Sequence, residues 1–269
     1  MNDFDGKVCV VTGSTQGLGE AIAKRFADGG AAGIVISGRN VQRGDAVAEY
    51  LSITSDVLFV PGDLADHATV ERIIGATDER FGRLDVLVNA AALTWRGTIL
   101  DTSVDLWDAL MDVNVRAPFF LTQGAARIMR REAIAGSIVN IGSVAGYGAN
   151  PVLAPYAITK GALIPFTRNV AYTLGRDQIR INTLAIGWMD TPGEDAIQRE
   201  FHGAQDGWLE DAEASMPFGR LLKTPEVAEA AAWLASDASG MMTGAVIDFD
   251  QTVIGAGDAP KIRDDEVIV

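Results

Sequence analysis

Short apolar runs recur along the chain, and stretches with helical spacing of apolar and polar residues separate them. The runs are rich in Val, Ile and Leu and lie at 7–11, 33–37, 57–60, 85–88, 137–141, 179–185 and 245–249. Such runs predict buried strands, and the amphipathic stretches between them predict helices. Regular alternation of the two predicts an α/β fold, a doubly wound parallel sheet of about seven strands with helices on both faces. No low-complexity linker interrupts the pattern, so residues 1–269 are predicted to form one domain.

A glycine-rich turn follows the first predicted strand. The strand ends at Val11, the sequence Thr12-Gly-Ser-Thr-Gln-Gly-Leu-Gly19 comes next, and Ile22 and Phe26 then follow with helical spacing. The three glycines permit a tight turn and let backbone N–H groups approach a pyrophosphate at the positive end of a helix. An ordinary turn between strand and helix is the alternative. The order of strand, glycine turn and helix favours a dinucleotide site of the Rossmann type.

A second motif combines Ser143, Tyr156 and Lys160. The serine ends an apolar run, and the tyrosine and lysine are four residues apart, which places them on one face of a helix. An ammonium beside a phenol favours the phenolate, so we expect Lys160 to lower the pKa of Tyr156 toward a range useful for general acid/base catalysis. The serine hydroxyl is then predicted to hold the reacting oxygen.

Taken together, the two motifs resemble the short-chain dehydrogenase/reductase family over roughly residues 5–250. The family's glycine pattern matches residues 12–19, its Ser, Tyr and Lys match the second motif, and its asparagine matches Asn114 inside a predicted helix. The resemblance implies an NAD(P)(H)-dependent oxidoreductase that interconverts a secondary alcohol and a ketone. It also implies that Asn114 interrupts its helix to hold a water linking Lys160 to solvent, and that the protein is a homotetramer.

Two positions depart from the family pattern. Ala91 stands where the family usually has the glycine of Asn-Ala-Gly, which predicts only a local adjustment of the backbone. Ile186 stands where the family has proline before Gly187, and Thr191 takes the place of the threonine that usually holds the nicotinamide carboxamide.

The residues expected to bind the cofactor lie in the glycine loop and at the ends of later strands. They are Gly13, Thr15, Gln16, Gly17, Leu18, Gly19, Arg39, Asp63, Leu64, Asn89, Ala90, Tyr156, Lys160, Gly187 and Thr191. The resemblance places Asp63 and Leu64 over the adenine, and an aspartate capping the helix that starts near Asp66 is an equal alternative. Asn89 is interpreted as an amide that ties neighbouring loops together.

The end of the second strand bears on the choice of cofactor. An NAD site typically has an acidic residue there for the ribose 2′-hydroxyl, whereas this chain has Gly38 followed by Arg39. Glycine leaves room for a 2′-phosphate, and arginine offers donors to it. NADP(H) is therefore favoured, and NAD(H) is left open because Arg39 stacked on adenine would serve both.

Residues 188–217 form a long segment between the sixth strand and the next helix, and we interpret them as a substrate lid. The candidate substrate residues are Ser143, Trp95, Asn150, Trp188, Glu194 and Trp208. Polar groups among a few aromatic rings favour a small hydroxylated substrate such as a sugar or polyol. Alternatively, the acidic residues of the lid form its solvent-exposed outer surface and do not contact the substrate. A 3-oxoacyl-(acyl-carrier-protein) reductase and a non-catalytic dinucleotide sensor remain competing functions.

The amino-acid composition limits which ligands and binding partners the protein can have. The 36 acidic and 22 basic side chains give a formal net charge of −14, which disfavours nucleic acid as a partner. His67 and His202, the only histidines, have no neighbouring ligands at metal spacing, so no metal is expected. The single cysteine, Cys9, excludes an internal disulfide, and no apolar run is long enough to span a membrane. A cytoplasmic location is expected, with residues 255–269 as a tail that docks on a neighbouring subunit or remains loose.

Overall fold

A computed structural model describes residues 2–148 and 150–253, which form a central sheet covered by helices. The strands are β1 (Val8–Val11), β2 (Gly33–Gly38), β3 (Asp56–Pro61), β4 (Val86–Asn89), β5 (Ser137–Ser143), β6 (Arg180–Ile186), β7 (Met189–Asp190), β8 (Leu222–Lys223) and β9 (Val246–Phe249). The helices are α1 (Gly17–Asp28), α2 (Val41–Leu51), α3 (His67–Phe81), α4 (Val104–Met111), α5 (Ala117–Arg131), α6 (Ala154–Leu174), α7 (Pro192–His202), α8 (Trp208–Ala214) and α9 (Thr224–Ala235).

The main sheet has seven parallel strands in the order β3-β2-β1-β4-β5-β6-β9. The predicted doubly wound sheet is therefore confirmed. The chain runs outward from β1 in one direction through β3 and returns to pair β4 on the other side of β1. This reversal opens a crevice above the carboxyl ends of β1 and β4, which is where ligands bind in sheets of this kind.

Hydrophobic layers cover both faces of the sheet. One layer includes Ile22 and Phe26 of α1 and Val227 of α9, and the other includes Leu121 of α5 and Leu174 of α6. The strand side chains alternate between the two layers, as their apolar runs predict. Burial on both faces holds the strand ends rigidly, so the loops that follow them are fixed in place.

Residues 188–217 are not the long loop that the sequence suggested. They contain the short strand β7 and the helices α7 and α8. Thr191 caps α7 by accepting a hydrogen bond from the Glu194 backbone N–H, Pro192 opens its first turn, and Gly203 ends it with a φ of 64°. These start and stop signals are strong enough to order the segment. The pairing of β7 with β8 ties its base to the body.

The segment beyond Val253 lies outside the described residues, and with it the interpretation of residues 255–269 as a tail. Within the ranges 2–148 and 150–253, none of the helices combines the length and the apolar character needed to cross a lipid bilayer.

Candidate active site

A large cleft of about 1170 Å³ opens at the carboxyl ends of the strands. Its walls come from the loops after β1, β2, β3, β4, β5 and β6 and from one side of α7. The glycine loop lines one end, and Ser143, Tyr156 and Lys160 line the other. The two motifs, which are far apart in sequence, therefore share one cavity.

The glycine loop needs its glycines for reasons visible in the backbone. Gly13 and Gly17 have φ values of 65° and 60°, in the left-handed region that favours glycine. A Cβ on Gly19 would lie 2.3 Å from the carbonyl oxygen of Gly13. These requirements keep the loop tight and bring its backbone to the cleft wall.

The start of α1 is suited to an anion. Gln16 occupies the position before the helix and provides no side-chain cap, whereas α2, α3, α4 and α7 are capped by Asn40, Asp66, Ser103 and Thr191. The first-turn N–H groups of α1 thus have no side-chain acceptor among the described residues, and the helix dipole adds partial positive charge there. Both features fit the pyrophosphate of a dinucleotide.

The end of β2 carries basic side chains. A Cβ on Gly38 would lie 2.6 Å from the Thr15 methyl carbon, so the glycine is required by the packing of Thr15. The space that the sequence suggested for a phosphate at Gly38 is thus partly filled by this side chain. Arg39 is exposed at the rim of the same cleft, and Asp63 stands opposite, where its Oδ1 accepts from the Ala65 backbone N–H at 2.9 Å. The cap of α3 is Asp66, so Asp63 does not serve that alternative role.

Arg43 is a residue that sequence reasoning missed. It lies in the first turn of α2, lines the cleft beside Arg39, and donates to Oε1 of Gln16. Asn40 caps α2 through the Arg43 backbone N–H, at 2.9 Å. Recognising Asn40 as a cap would have placed Arg43 at the helix start facing the same rim.

The catalytic candidates are brought together by β5 and α6. Ser143 is the last residue of β5, and its hydroxyl accepts from the Ala145 backbone N–H at 3.1 Å, which fixes its orientation. The loop then packs directly on α6, since a Cβ on Gly146 would lie 2.9 Å from the backbone nitrogen of Gly161. This close approach holds Ser143 beside Tyr156.

Lys160 is buried, and its side chain points toward strand β5. Its Nζ donates to the Ile141 carbonyl at 2.8 Å and lies 5.8 Å from the centre of the Tyr156 ring. Burial lowers the pKa of Lys160 to about 8. The lysine retains its proton at neutral pH, because that value still lies above 7.

Burial also raises the pKa of Tyr156 to about 12, opposite to the expected lowering. Loss of hydration is the largest contribution. The Ser143 hydroxyl and the charge of Arg96 lower the pKa by less, and Glu194 raises it. A phenol with this pKa is protonated at neutral pH, which suits a proton donor for ketone reduction.

Asn114 lies behind the catalytic residues in a π-helical turn (Asp112–Arg116) that joins α4 and α5. Its side chain accepts from the Leu93 backbone N–H at 2.8 Å and donates to the Leu93 carbonyl at 2.8 Å and to Thr159 Oγ1 at 3.1 Å. The expected interruption of the helix at Asn114 is present. The water relay remains a prediction.

Three expected site residues do not line the cleft. Asn89 points into the core, where its Nδ2 donates to Asn140 at 2.8 Å, so it ties strands together rather than loops. Trp95 packs against the core instead. Trp208 stacks on Trp188 with ring centres 6.3 Å apart and faces a smaller cavity on the outer side of α7. The other predicted cofactor residues and Asn150, Trp188 and Glu194 do line the cleft.

Arg96, the neighbour of Trp95, takes the place in the cleft that the tryptophan was expected to occupy. Its Nη2 lies 3.3 Å from Glu194 Oε1, and its Nε donates to His202 at 3.0 Å. Gln198 joins the group by donating to the same Glu194 oxygen at 2.7 Å. Glu194, Gln198 and His202 are four residues apart, so one face of α7 presents a polar stripe to the cleft.

A glycine-rich helix start suited to a pyrophosphate, in a crevice at the switch point of a doubly wound sheet, is typical of dinucleotide-binding proteins. Comparison with known proteins agrees. A family model described as enoyl-(acyl carrier protein) reductase, which belongs to the short-chain dehydrogenase/reductase family, matches residues 13–252. The chain belongs to this family, and it is an NAD(P)-dependent oxidoreductase acting on alcohol and ketone groups.

Relatives differ in their substrates. An NADP-dependent (R)-specific alcohol dehydrogenase from Lentilactobacillus kefiri is 32% identical over 91% of this chain and 95% of its own length. A 3-oxoacyl-(acyl-carrier-protein) reductase from Thermotoga maritima is 33% identical over 92% of this chain and 97% of its own length. The structure of L-sorbose reductase from Gluconobacter frateurii, complexed with NADPH and L-sorbose, superimposes with a TM-score of 0.87 at 28% identity, covering 95% of this chain and 100% of that one.

Proposed function

We propose that this protein interconverts a small hydroxylated ketone and its secondary alcohol, of the sugar or polyol class, with NADP(H). The observation that carries the proposal is the polar wall of the substrate end. Glu194 and Gln198 of α7 and Arg96 face the side of the cleft that holds Tyr156. A wall of hydrogen-bonding groups suits a substrate that carries several hydroxyls. The L-sorbose complex of the related reductase supports this class.

The residues have separable roles in the proposed reaction. When bound, the nicotinamide supplies or accepts the hydride. Ser143 donates a hydrogen bond to the substrate oxygen and holds it beside the Tyr156 hydroxyl. Tyr156 gives its proton to that oxygen during reduction and takes it back during oxidation. The Lys160 ammonium would hold the ribose hydroxyls of a bound cofactor, and Asn114 keeps the backbone at Leu93 in place.

The test is a substrate panel. The purified protein is assayed with ketoses, polyols, simple apolar ketones and 3-oxoacyl thioesters, each with NADP(H) and NAD(H). The highest kcat/KM is expected with a hydroxylated substrate. A strong preference for 3-oxoacyl thioesters would instead support the reductase of acyl carrier protein substrates, a function favoured by the Thermotoga maritima relative.

The choice of NADP(H) rests on Arg39 and Arg43 at the rim of the cleft. A hydrogen bond to a charged group contributes about 1.5–3 kcal/mol, so Arg39→Ala is expected to weaken NADP(H) binding about 10- to 100-fold. Binding of NAD(H), which lacks the phosphate, should change little. Arg43→Ala should act in the same direction.

Titration calorimetry with both cofactors measures these affinities. Arg127→Ala removes an exposed arginine elsewhere and is the matched control. Equal losses for NADP(H) and NAD(H) in the Arg39 variant would show that the side chain stacks on adenine and does not distinguish the cofactors.

The homotetramer also remains a proposal. Apolar side chains stay exposed on the helices that flank the sheet, including Val104 and Trp107 of α4, Phe119 of α5 and Ile158 of α6. Such a surface is suited to association with further copies of the chain. Sedimentation equilibrium should give four times the mass of one chain, and a monomer at micromolar concentration would contradict it.

A further inference from the structure

The Arg96–Glu194 pair bridges the body and the lid inside the substrate end of the cleft. Arg96 follows β4, whereas Glu194 belongs to the first turn of α7. The two side chains are only 13% and 14% exposed, although both carry charge. Burying charges is expensive unless they are paired and hydrogen-bonded, so a pair kept beside the catalytic residues calls for a functional explanation.

The hydrogen bonds of Glu194 are distributed unequally between its two oxygens. Oε1 accepts from Trp188 Nε1 at 2.9 Å and Gln198 Nε2 at 2.7 Å, and it pairs with Arg96 at 3.3 Å. No residue of the described chain donates to Oε2. A carboxylate has about four acceptor sites, so Oε2 is left to accept from a ligand in the cleft.

Each of the three guanidinium nitrogens of Arg96 makes one hydrogen bond. Its Nη1 donates to the Thr94 carbonyl at 2.6 Å, its Nε to His202 at 3.0 Å, and its Nη2 faces Glu194. The guanidinium therefore contacts both the first and the last turn of α7 and holds the Glu194 carboxylate in place. Because its charge is already paired, Arg96 offers little to a carboxylate on a substrate.

We propose, on the basis of the function proposed above, that Arg96 is a positioning residue that fixes Glu194 as the acceptor for a substrate hydroxyl, and that the pair restricts the site to uncharged polyhydroxylated substrates. Arg96 and Glu194 line the same cleft as Tyr156, and their charges act on the pKa of its phenol in opposite directions. Lys160 also lies near this tyrosine, with its Nζ 5.8 Å from the centre of the ring.

A matched set of ketones tests the inference. Erythrulose, 2-butanone and acetoacetate share a four-carbon skeleton and differ in carrying hydroxyls, no further polar group or a carboxylate. The wild type should prefer erythrulose. Arg96→Met should raise KM for erythrulose about 10- to 100-fold and change kcat/KM for 2-butanone less than about threefold. Arg96→Lys, which keeps the charge, should restore part of the loss.

The Glu194→Gln variant provides a second and more specific test. It should also raise KM for erythrulose, yet it frees Arg96 and should increase kcat/KM for acetoacetate. The pH profiles should move in opposite directions, because the kinetic pKa assigned to Tyr156 rises in Arg96→Met and falls in Glu194→Gln. A merely structural role would not produce opposite shifts.

Glu200→Gln changes an exposed carboxylate on the same helix and serves as the control. Thermal unfolding identifies any variant that fails to fold. If Arg96→Met does not fold, Glu194→Gln alone tests the inference. Equal losses for all three ketones, or unchanged KM values in both variants, would overturn this inference alone. A wild type that reduces no ketone would reject the proposed function as well.

Discussion

Replacement of Tyr156 with Phe is expected to lower turnover about 10²- to 10⁴-fold, the usual contribution of a positioned general acid or base. The ring packs among buried residues and is kept, whereas the transferable proton is removed. Binding of NADP(H) and the free energy of unfolding should therefore stay close to those of the wild type. Steady-state kinetics, calorimetric titration of the cofactor and chemical denaturation measure the three quantities.

Tyr172→Phe makes the same chemical change at an exposed position of the same helix, α6, and should leave turnover unaltered. The pH profile adds a further check. Because the pKa of Tyr156 is raised to about 12, the phenol is protonated throughout the neutral range. Ketone reduction should not lose its proton donor until the pH approaches that value. Near-normal turnover in the Tyr156→Phe variant would remove this tyrosine from the chemistry.

Replacement of Lys160 with Met is expected to abolish most activity and at the same time to stabilise the fold relative to the wild type below pH 8. Burial lowers the pKa of Lys160 from 10.5 to about 8, so the folded state holds the proton less firmly than the unfolded chain. Such a difference corresponds to about 3 kcal/mol. The loss of the hydrogen bond to Ile141 offsets part of the gain.

The sign of the pH dependence follows from proton binding. Between about pH 8 and 10.5 the unfolded chain binds more protons at this lysine than the folded chain, so the free energy of unfolding of the wild type rises through that window. The Lys160→Met variant has no such contribution, because its thioether does not titrate. The stability advantage of the variant should shrink by about 3 kcal/mol from pH 7 to about pH 10.

Urea denaturation at several pH values measures this difference. Buried Cys9 and Tyr156 also titrate in the alkaline range, yet they do so in both proteins and cancel in the comparison. Lys24→Met, at a lysine more exposed than Lys160, is the matched control. A constant difference across the window would mean that Lys160 is not held in a desolvated site.

The sequence was a good guide to the fold because burial on both faces leaves a continuous apolar signal. Cys9, for example, lies in an apolar run whose side chains alternate between the two layers. The glycines were equally informative. Gly13 has a positive φ that disfavours other residues, and a Cβ on Gly19 would collide with the backbone of Gly13. Local chemistry of this kind is visible without a structure.

Side-chain direction was harder to predict. Trp95 and Arg96 are adjacent, and only the packing of Trp95 against the core decides that Arg96 faces the cleft. Likewise, the effect of Lys160 on Tyr156 depended on where Nζ points, and it bonds the Ile141 carbonyl. The order of residues 188–217 depends on a single cap, because a threonine at position 191 is compatible both with a cofactor contact and with the start of α7, and the sequence alone does not separate the two.

The packing of Thr15 against Gly38 has an evolutionary consequence. An acidic residue at position 38 would create the ribose contact of an NAD enzyme, but its Cβ would collide with Thr15 at 2.6 Å. The two positions are therefore epistatic. A side chain at position 38 requires Thr15 either to change its rotamer or to be shortened, for instance by Thr15→Gly. A change at position 38 alone is therefore expected to cost more stability than the same change combined with a smaller residue 15, and a double-mutant cycle over the two positions measures this coupling.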